Sequence, residues 1–361
     1  MLTDASRHAR FARRAALSLA ALIVTGCTTV GYVAQAARGQ LGVLRARKPI
    51  AKLLAEPATP AILRARLEQV LEIRDYASRV LLLPDNGSYR SYADLQRPYV
   101  VWNVVAAPEF SLAPREWCFP VAGCVAYRGY FSEAAARAYA EGLAARGDDV
   151  AVFGVAAYST LGRFDDPVLN TMTAYGPLDL AGLIFHELAH QKLYVAGDSA
   201  FNEAFATTVE EQGVARYAAE RGTPAQLAAW HARRERGREL AKIVDATREQ
   251  LRAIYRGAAD EEEKRVQRRA AFDALAAQVR DFETRTGART SLHEWLGGLN
   301  NAHLAAIATY RERQPLFETL FQLAEGDFAT FYRKAEEAAA QRRTELRGPP
   351  RRRFGPHPPN A

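Results

Sequence analysis

The chain has 361 residues, 48% apolar and 25% charged, a balance that excludes both a disordered chain and a multi-span membrane protein. Its formal charge of +7 would suit a nucleic-acid partner. However, Arg7, Arg10, Arg13 and Arg14 against Asp4 hold +3 of it near the N-terminus, and Arg347, Arg351, Arg352 and Arg353 hold +4 near the C-terminus. The body between is neutral, so no nucleic-acid partner is expected.

Residues 1–26 have the layout of a secretory signal, with the arginines followed by an apolar run from Ala15 to Val24. That run is too short to span a bilayer comfortably as a permanent helix. It ends in Thr25-Gly26-Cys27, which resembles the lipobox of bacterial lipoproteins. The resemblance implies cleavage before Cys27, lipidation of Cys27, and a mature chain anchored in the cell envelope and facing the periplasm. Thr28 after the cysteine would imply the outer membrane. An ordinary cleaved signal, with Cys27 incidental, and a short tail-anchor-like segment are the other readings.

Residues 27–50 read as a tether passing into a first helix, and 51–346 as one catalytic domain. Residues 59–83 place Ile62, Leu63, Leu67, Val70, Leu71 and Ile73 at helical spacing, and Pro84-Asp85-Asn86-Gly87 is a turn. Strands are expected over 99–105, 125–131 and 150–155, which are rich in β-branched and aromatic residues. A helix over 132–144, N-capped by Ser132, separates the last two. Cys118 and Cys124 bracket a segment holding Pro120 and Gly123; after export they would close a small disulfide loop, the alternative being free thiols. From Leu178 onward the pattern is helical, broken at Gly222-Thr223-Pro224, and 347–361 is a Pro- and Arg-rich tail expected to be disordered. The fold class is therefore α+β, a small mixed β-region followed by a mostly helical half.

The segment His186-Glu187-Leu188-Ala189-His190 is an H-E-x-x-H pattern. Four residues apart on a helix, both imidazoles face one ion, while Glu187 is rotated off the ligand pair yet close enough to take a proton from water. Catalytic zinc needs a third protein ligand and leaves a position open. After a turn at 196–199, Asn202-Glu203-Ala204-Phe205-Ala206 starts a second helix that can bring Glu203 back to His186 and His190. Glu210 reads either as a solvated helix charge or as an acid that orients a ligand imidazole; Glu211 reads as a solvated charge.

Asn202, Glu203, Phe205 and Ala206 resemble the N-E-G-F-A segment of gluzincin metallopeptidases related to aminopeptidase N, whose Glu is the third zinc ligand. More of the chain resembles a bacterial lipoprotein family of predicted aminopeptidases, through Ser88–Tyr92, Arg97–Val104, Tyr127–Phe131, Tyr158–Gly162, Asp165–Pro167 and Asn300–Ala302. The resemblance implies a zincin-like fold and one Zn2+ per chain on His186, His190 and Glu203. It implies hydrolysis of a peptide or protein substrate by zinc-activated water, with Glu187 as general base. Gluzincins commonly place a Tyr or His far downstream against the oxyanion. Tyr310 is the first candidate here, with Tyr255 and His303 behind it.

Residues 153–160 are placed to run along the substrate backbone as an edge strand. Arg128, Arg163 and Asp165 read as substrate contacts or as solvated loop charges, and His231 and His293 as surface residues. No G-x-M-E-N segment, with which aminopeptidase N-type enzymes grip a free amino terminus, is present, so amino- and endopeptidase action both stay open. The alternative function is an envelope binding or scaffold lipoprotein with a structural or degenerate zinc site. Structural zinc usually has four protein ligands and no spare carboxylate, so Glu187 favours the enzyme.

Overall fold

The computed structural model describes residues 30–119, 123–290, 292–309 and 313–347. The signal segment, Cys27, Tyr310 and the tail beyond Arg347 lie outside the described residues. Among those described, no helix is long and apolar enough to cross a membrane.

The described residues open with helix α1 over 30–46, strand β1 (Arg47–Pro49), α2 (Ile50–Ala55) and α3 (Ala61–Arg79). The helix expected over 59–83 runs from Ala61, just after Pro60, to Arg79, and the turn at 84–87 follows it. Leu67, Val70 and Ile73 are buried, but Ile62 points to solvent at the first turn. Arg74 is wholly buried, and its guanidinium donates to the carbonyls of Ser88 (2.8 Å), Pro84 (2.6 Å) and Asn86 (3.1 Å). A buried charge is tolerable when its donors are satisfied in this way.

Next come β2 (Ser91–Ala93), β3 (Val101–Pro108), β4 (Trp117–Phe119), β5 (Gly123–Val125), β6 (Arg128–Tyr130), α4 (Glu133–Ala144) and β7 (Asp148–Val155). The antiparallel sheet β6-β3-β7 is the scaffold of the site. Seven of the eight residues of β3 are buried, because both faces of the sheet are covered. Trp102, Val104 and Ala106 pack on Ala136 and Ala140 of α4, which Ser132 caps by accepting from Ala135 N–H. Val105 and Ala151 of the opposite face pack on a helix near the end of the chain.

The single strand expected over 125–131 is two. Cys118 and Cys124 are cross-strand partners in the β4–β5 hairpin, joined by a disulfide, and the chain leaves that hairpin at Ala126-Tyr127 before joining β3 as β6. The hairpin also sits against the loop at 196–197. A side chain at Gly123 would meet the Gly197 nitrogen at 2.3 Å, and Gly123 has φ +73°, so only glycine fits.

The remainder is β8 (Val168–Leu169), which joins β1 and β2 in a second small sheet, then helices α5 (Asn170–Thr173), α6 (Pro177–Lys192), α7 (Ser199–Arg221), α8 (Pro224–Arg256), α9 (Glu261–Thr286), α10 (Asn301–Thr309), α11 (Gln314–Gln322) and α12 (Phe328–Arg347). The architecture is mixed α+β with small sheets and a predominantly helical second half. The largest core joins α3, α6 and α7 to α11 and α12, where Phe205 packs on Phe317 and Phe331. A smaller core lies between α8 and α9, around Val244, Leu251, Leu275 and Val279. α10 is the helix under the Val105 face of the sheet.

Candidate metal centre

The centre is built on the α6–α7 hairpin. Pro177 opens α6 at a position where its missing N–H has no helical partner to lose. Leu178, Leu180, Ile184, Phe185 and Leu188 are buried and fix the helix in the core. That seating turns His186, Glu187 and His190 toward the β6-β3-β7 sheet. Asp198 then caps α7, accepting from Phe201 N–H at 3.0 Å. Asn202 clamps the turn: its Nδ2 donates to the Val195 carbonyl at 2.8 Å, and its Oδ1 accepts from Val195 N–H at 2.7 Å. The next residue is Glu203, so the clamp sets where its carboxylate emerges. Gly182 lets the helices approach, since a side chain there would press on Glu210 at 3.2 Å.

The nitrogens of His186 and His190 and a carboxylate oxygen of Glu203 lie within 4.8 Å of one another. Glu203 Oε2 stands 3.3 Å from His186 Nε2 and 3.8 Å from His190 Nε2. Neighbouring ligands on a tetrahedral zinc are about 3.3 Å apart, from metal–ligand bonds of about 2.0–2.1 Å. The donor set fits such an ion: two imidazoles and one carboxylate, converging from two rigid helices. Behind His186, Glu210 Oε2 is 3.1 Å from Nδ1 and so holds the ring from its other side. Glu210 is two helical turns from Glu203 and shares its face of α7. Among the described residues His190 has no such partner, and its Nδ1 is buried without a hydrogen bond.

The electrostatics also suit a cation. Glu187 and Glu203 are buried together, and Glu210 adds a third carboxylate. Burial pushes Glu187 up to about 7, against the pull of His186 and with the help of Glu203. Burial lowers His190 to about 4, leaving it neutral and able to ligate. Burial also works against the charged form of His186, but the carboxylates of Glu203 and Glu210 outweigh it and hold the ring well above the usual histidine range. Desolvation opposes the charge on Glu203, yet His190 and His186 hold its carboxyl below the usual value.

His186, Glu187, His190 and Glu203 line one side of a cavity of about 310 Å³. The other walls come from the sheet (Val101, Asn103, Gly129, Val155), from the hairpin (Phe119, Val125) and from α1 (Tyr32, Ala36). Tyr127 and Tyr194, which the sequence does not single out, also line it. Burial, followed by the carboxylate of Glu203, Tyr194 and the carboxylate of Glu187, raises the Tyr127 phenol far above its usual range, so it remains a neutral O–H. Its only sequence signal is its place at the head of the Tyr127–Phe131 match.

Other candidates fall elsewhere. Tyr255 donates to Asn301 Oδ1 at 2.7 Å, and His303 sits against Trp295 with Nδ1 2.8 Å from Asn300 Oδ1; neither lines the cavity. Arg128 is engaged with aromatic rings, 4.1 Å from Tyr32 and 4.4 Å from Tyr139, while Arg163 and Asp165 are exposed. His231 is exposed, and His293 pairs with Glu283 at 2.7 Å. Glu211 is not a solvated charge: it is buried, bonded to Arg234, and accepts from Gln314 at 3.0 Å. The segment expected as an edge strand over 153–160 is strand only to Val155; Ala157, Tyr158, Ser159 and Leu161 continue along the cavity as a loop.

Two histidines one helical turn apart, a glutamate from the next helix and a buried acid beside them define a candidate metal centre on the wall of a half-open cavity. A family described as "Putative aminopeptidase" matches residues 31–347, and the chain belongs to that family. No curated protein and no solved structure matches the chain significantly.

Proposed function

We propose that this protein is a zinc-dependent metallopeptidase of zincin-like, gluzincin type that removes residues from the amino end of peptides. It would hold one zinc ion on His186, His190 and Glu203, with Glu187 as general base. The observation that carries the reading is the meeting of these three ligand groups within 4.8 Å, beside buried Glu187 and on the wall of a cavity. Zinc bound there supplies Lewis acidity and lowers the pKa of water to about 7. Glu187 takes the proton of the attacking water and passes it to the leaving amine nitrogen. Tyr127 and Tyr310 are the phenols proposed to donate to the developing oxyanion; Tyr127 lines the cavity.

The amino-end preference rests on the family. Cys27 is proposed to carry the lipid that anchors the chain to the envelope, in the outer membrane and facing the periplasm; labelling with a palmitate analogue should be lost in Cys27→Ala.

The deciding experiment measures zinc content and peptide hydrolysis for the parent and Glu187→Gln. One zinc per chain in both, with hydrolysis lost only in the variant, is expected. An equally active Glu187→Gln would overturn the mechanism. Stoichiometric zinc with no hydrolysis of any peptide would favour a binding or scaffold lipoprotein.

A further inference from the structure

We infer that α1 is the wall that limits this cavity to the end of a peptide chain, and that Gln35 fixes the wall by occupying the outer edge of β6. The inference builds on the peptidase reading and adds what sets its specificity. Among the described residues, β6 pairs with β3 on one side only. On its other side, the Gly129 carbonyl accepts from Gln35 Nε2 at 3.2 Å, and Phe131 N–H donates to Gln35 Oε1 at 3.2 Å. One side-chain amide thus makes the two bonds that a residue of a parallel strand would make. Extended peptides commonly bind proteins by adding to such a free edge. Here the edge is taken from within the chain.

The rest of α1 completes the wall. Tyr32, one turn before Gln35, lines the cavity and stacks on Phe119 of the disulfide hairpin at 5.2 Å between ring centres. It also meets the Arg128 guanidinium at 4.1 Å, which ties it to β6. Ala36 lines the cavity one turn further on. At Gly39 the helix backbone lies so close to the Phe131 ring that a side chain would meet it at 2.1 Å. Gln40 then accepts from the Tyr158 hydroxyl, fastening α1 to the loop that follows β7. The helix is therefore fixed to β6 and to the loop after β7 by specific contacts. The cavity of about 310 Å³ is at the small end of ligand pockets. It has room for a chain end, and α1 stands where a continuing chain would extend along β6.

The test uses the full zinc-loaded chain and two peptides of one sequence, with a free or an acetylated amino terminus. The parent should cleave the free peptide at least 100-fold faster in kcat/KM. A Tyr32→Ala/Gln35→Ala double variant should narrow that ratio at least tenfold by gaining activity on the acetylated peptide. Ala36→Trp, which removes no contact, should raise KM for the free peptide at least fivefold while kcat changes less than twofold. Equal cleavage of both peptides by the parent would overturn the proposal, as would an unchanged ratio in a double variant that still melts cooperatively. If the double variant does not fold, Ala36→Trp decides: an unchanged KM overturns the proposal.

Binding of the two labelled peptides to Glu187→Gln, followed by fluorescence anisotropy, reads the wall without catalysis. Selective binding of the free peptide, relaxed by the α1 changes, supports the wall even if the parent hydrolyses nothing, in which case only the peptidase reading fails. No selectivity, or no binding of either peptide, overturns the wall.

Discussion

Asn202 bonds both backbone groups of Val195, accepting from its N–H at 2.7 Å and donating to its carbonyl at 2.8 Å, and the residue that follows Asn202 is the third ligand candidate. Both bonds are buried. The asparagine therefore sets the entry of α7, and with it the reach of Glu203 toward His186.

Asn202→Ala should leave the buried Val195 N–H unsatisfied, while the Val195 carbonyl keeps the Asp198 N–H at 3.2 Å. The expected cost is about 1–3 kcal/mol of stability, the penalty for one buried group left without a partner. Zinc affinity should fall with it, since Glu203 loses its fixed position. Urea unfolding and competition with a chelator measure the two effects; an unchanged zinc affinity in the variant would show that Glu203 does not depend on the clamp.

Glu210→Gln should weaken zinc binding by roughly 10- to 100-fold, the usual effect of losing a group that orients a ligand imidazole. An amide can still accept from Nδ1 but brings no charge, so Glu210→Ala should weaken it further. Competition with a chromophoric chelator reads both. Equal affinities for the parent and Glu210→Ala would mean that the 3.1 Å contact to His186 does not support the metal.

Asp166 gives a pH dependence. It is buried, accepts from the Thr160 N–H and hydroxyl at 2.9 Å, and burial raises it from 3.8 to about 6. Between pH 4 and 6 the folded chain keeps this proton while the unfolded chain has released it. Stability from this group is therefore present at the acid end and lost as pH rises toward 6 and beyond. Asp166→Asn cannot ionise, so its stability relative to the parent should improve by roughly 2–3 kcal/mol between pH 4 and pH 8. Denaturant melts at the two pH values check this; a relative stability that does not change with pH would place the ionisation elsewhere.

The Cys118–Cys124 disulfide closes a short loop, so its loss should cost only about 2 kcal/mol of stability. Its effect on the site should be larger than that figure suggests. Phe119 and Val125 of the same hairpin line the cavity, and Phe119 carries Tyr32. Mild reduction is expected to raise KM for peptides while kcat changes less. A fall in kcat alone would point to damage at the metal instead.

The sequence by itself determined the local chemistry. His186 and His190 share a face because helical periodicity puts residues four apart together, and the same arithmetic puts Glu203 and Glu210 on one face of α7. Ser132 as a cap, the breaks at 84–87 and at 222–224, and the two-helix hairpin were legible for the same reason: each is set by a few neighbouring residues. What only the tertiary structure decided depends on distant packing. Periodicity does not say which way a helix face will turn, so Glu211, next to Glu210, is buried against Arg234 instead of meeting solvent. The split of 125–131 into two strands follows from a hairpin that seats Gly123 on Gly197, a contact across 74 positions. Likewise Gln35 meets β6 across 94 positions, and nothing in the helical pattern of α1 shows that one of its amides will complete a strand edge. Local spacing fixed which side chains can act together; the crossing of helices over the sheet fixed the walls around them.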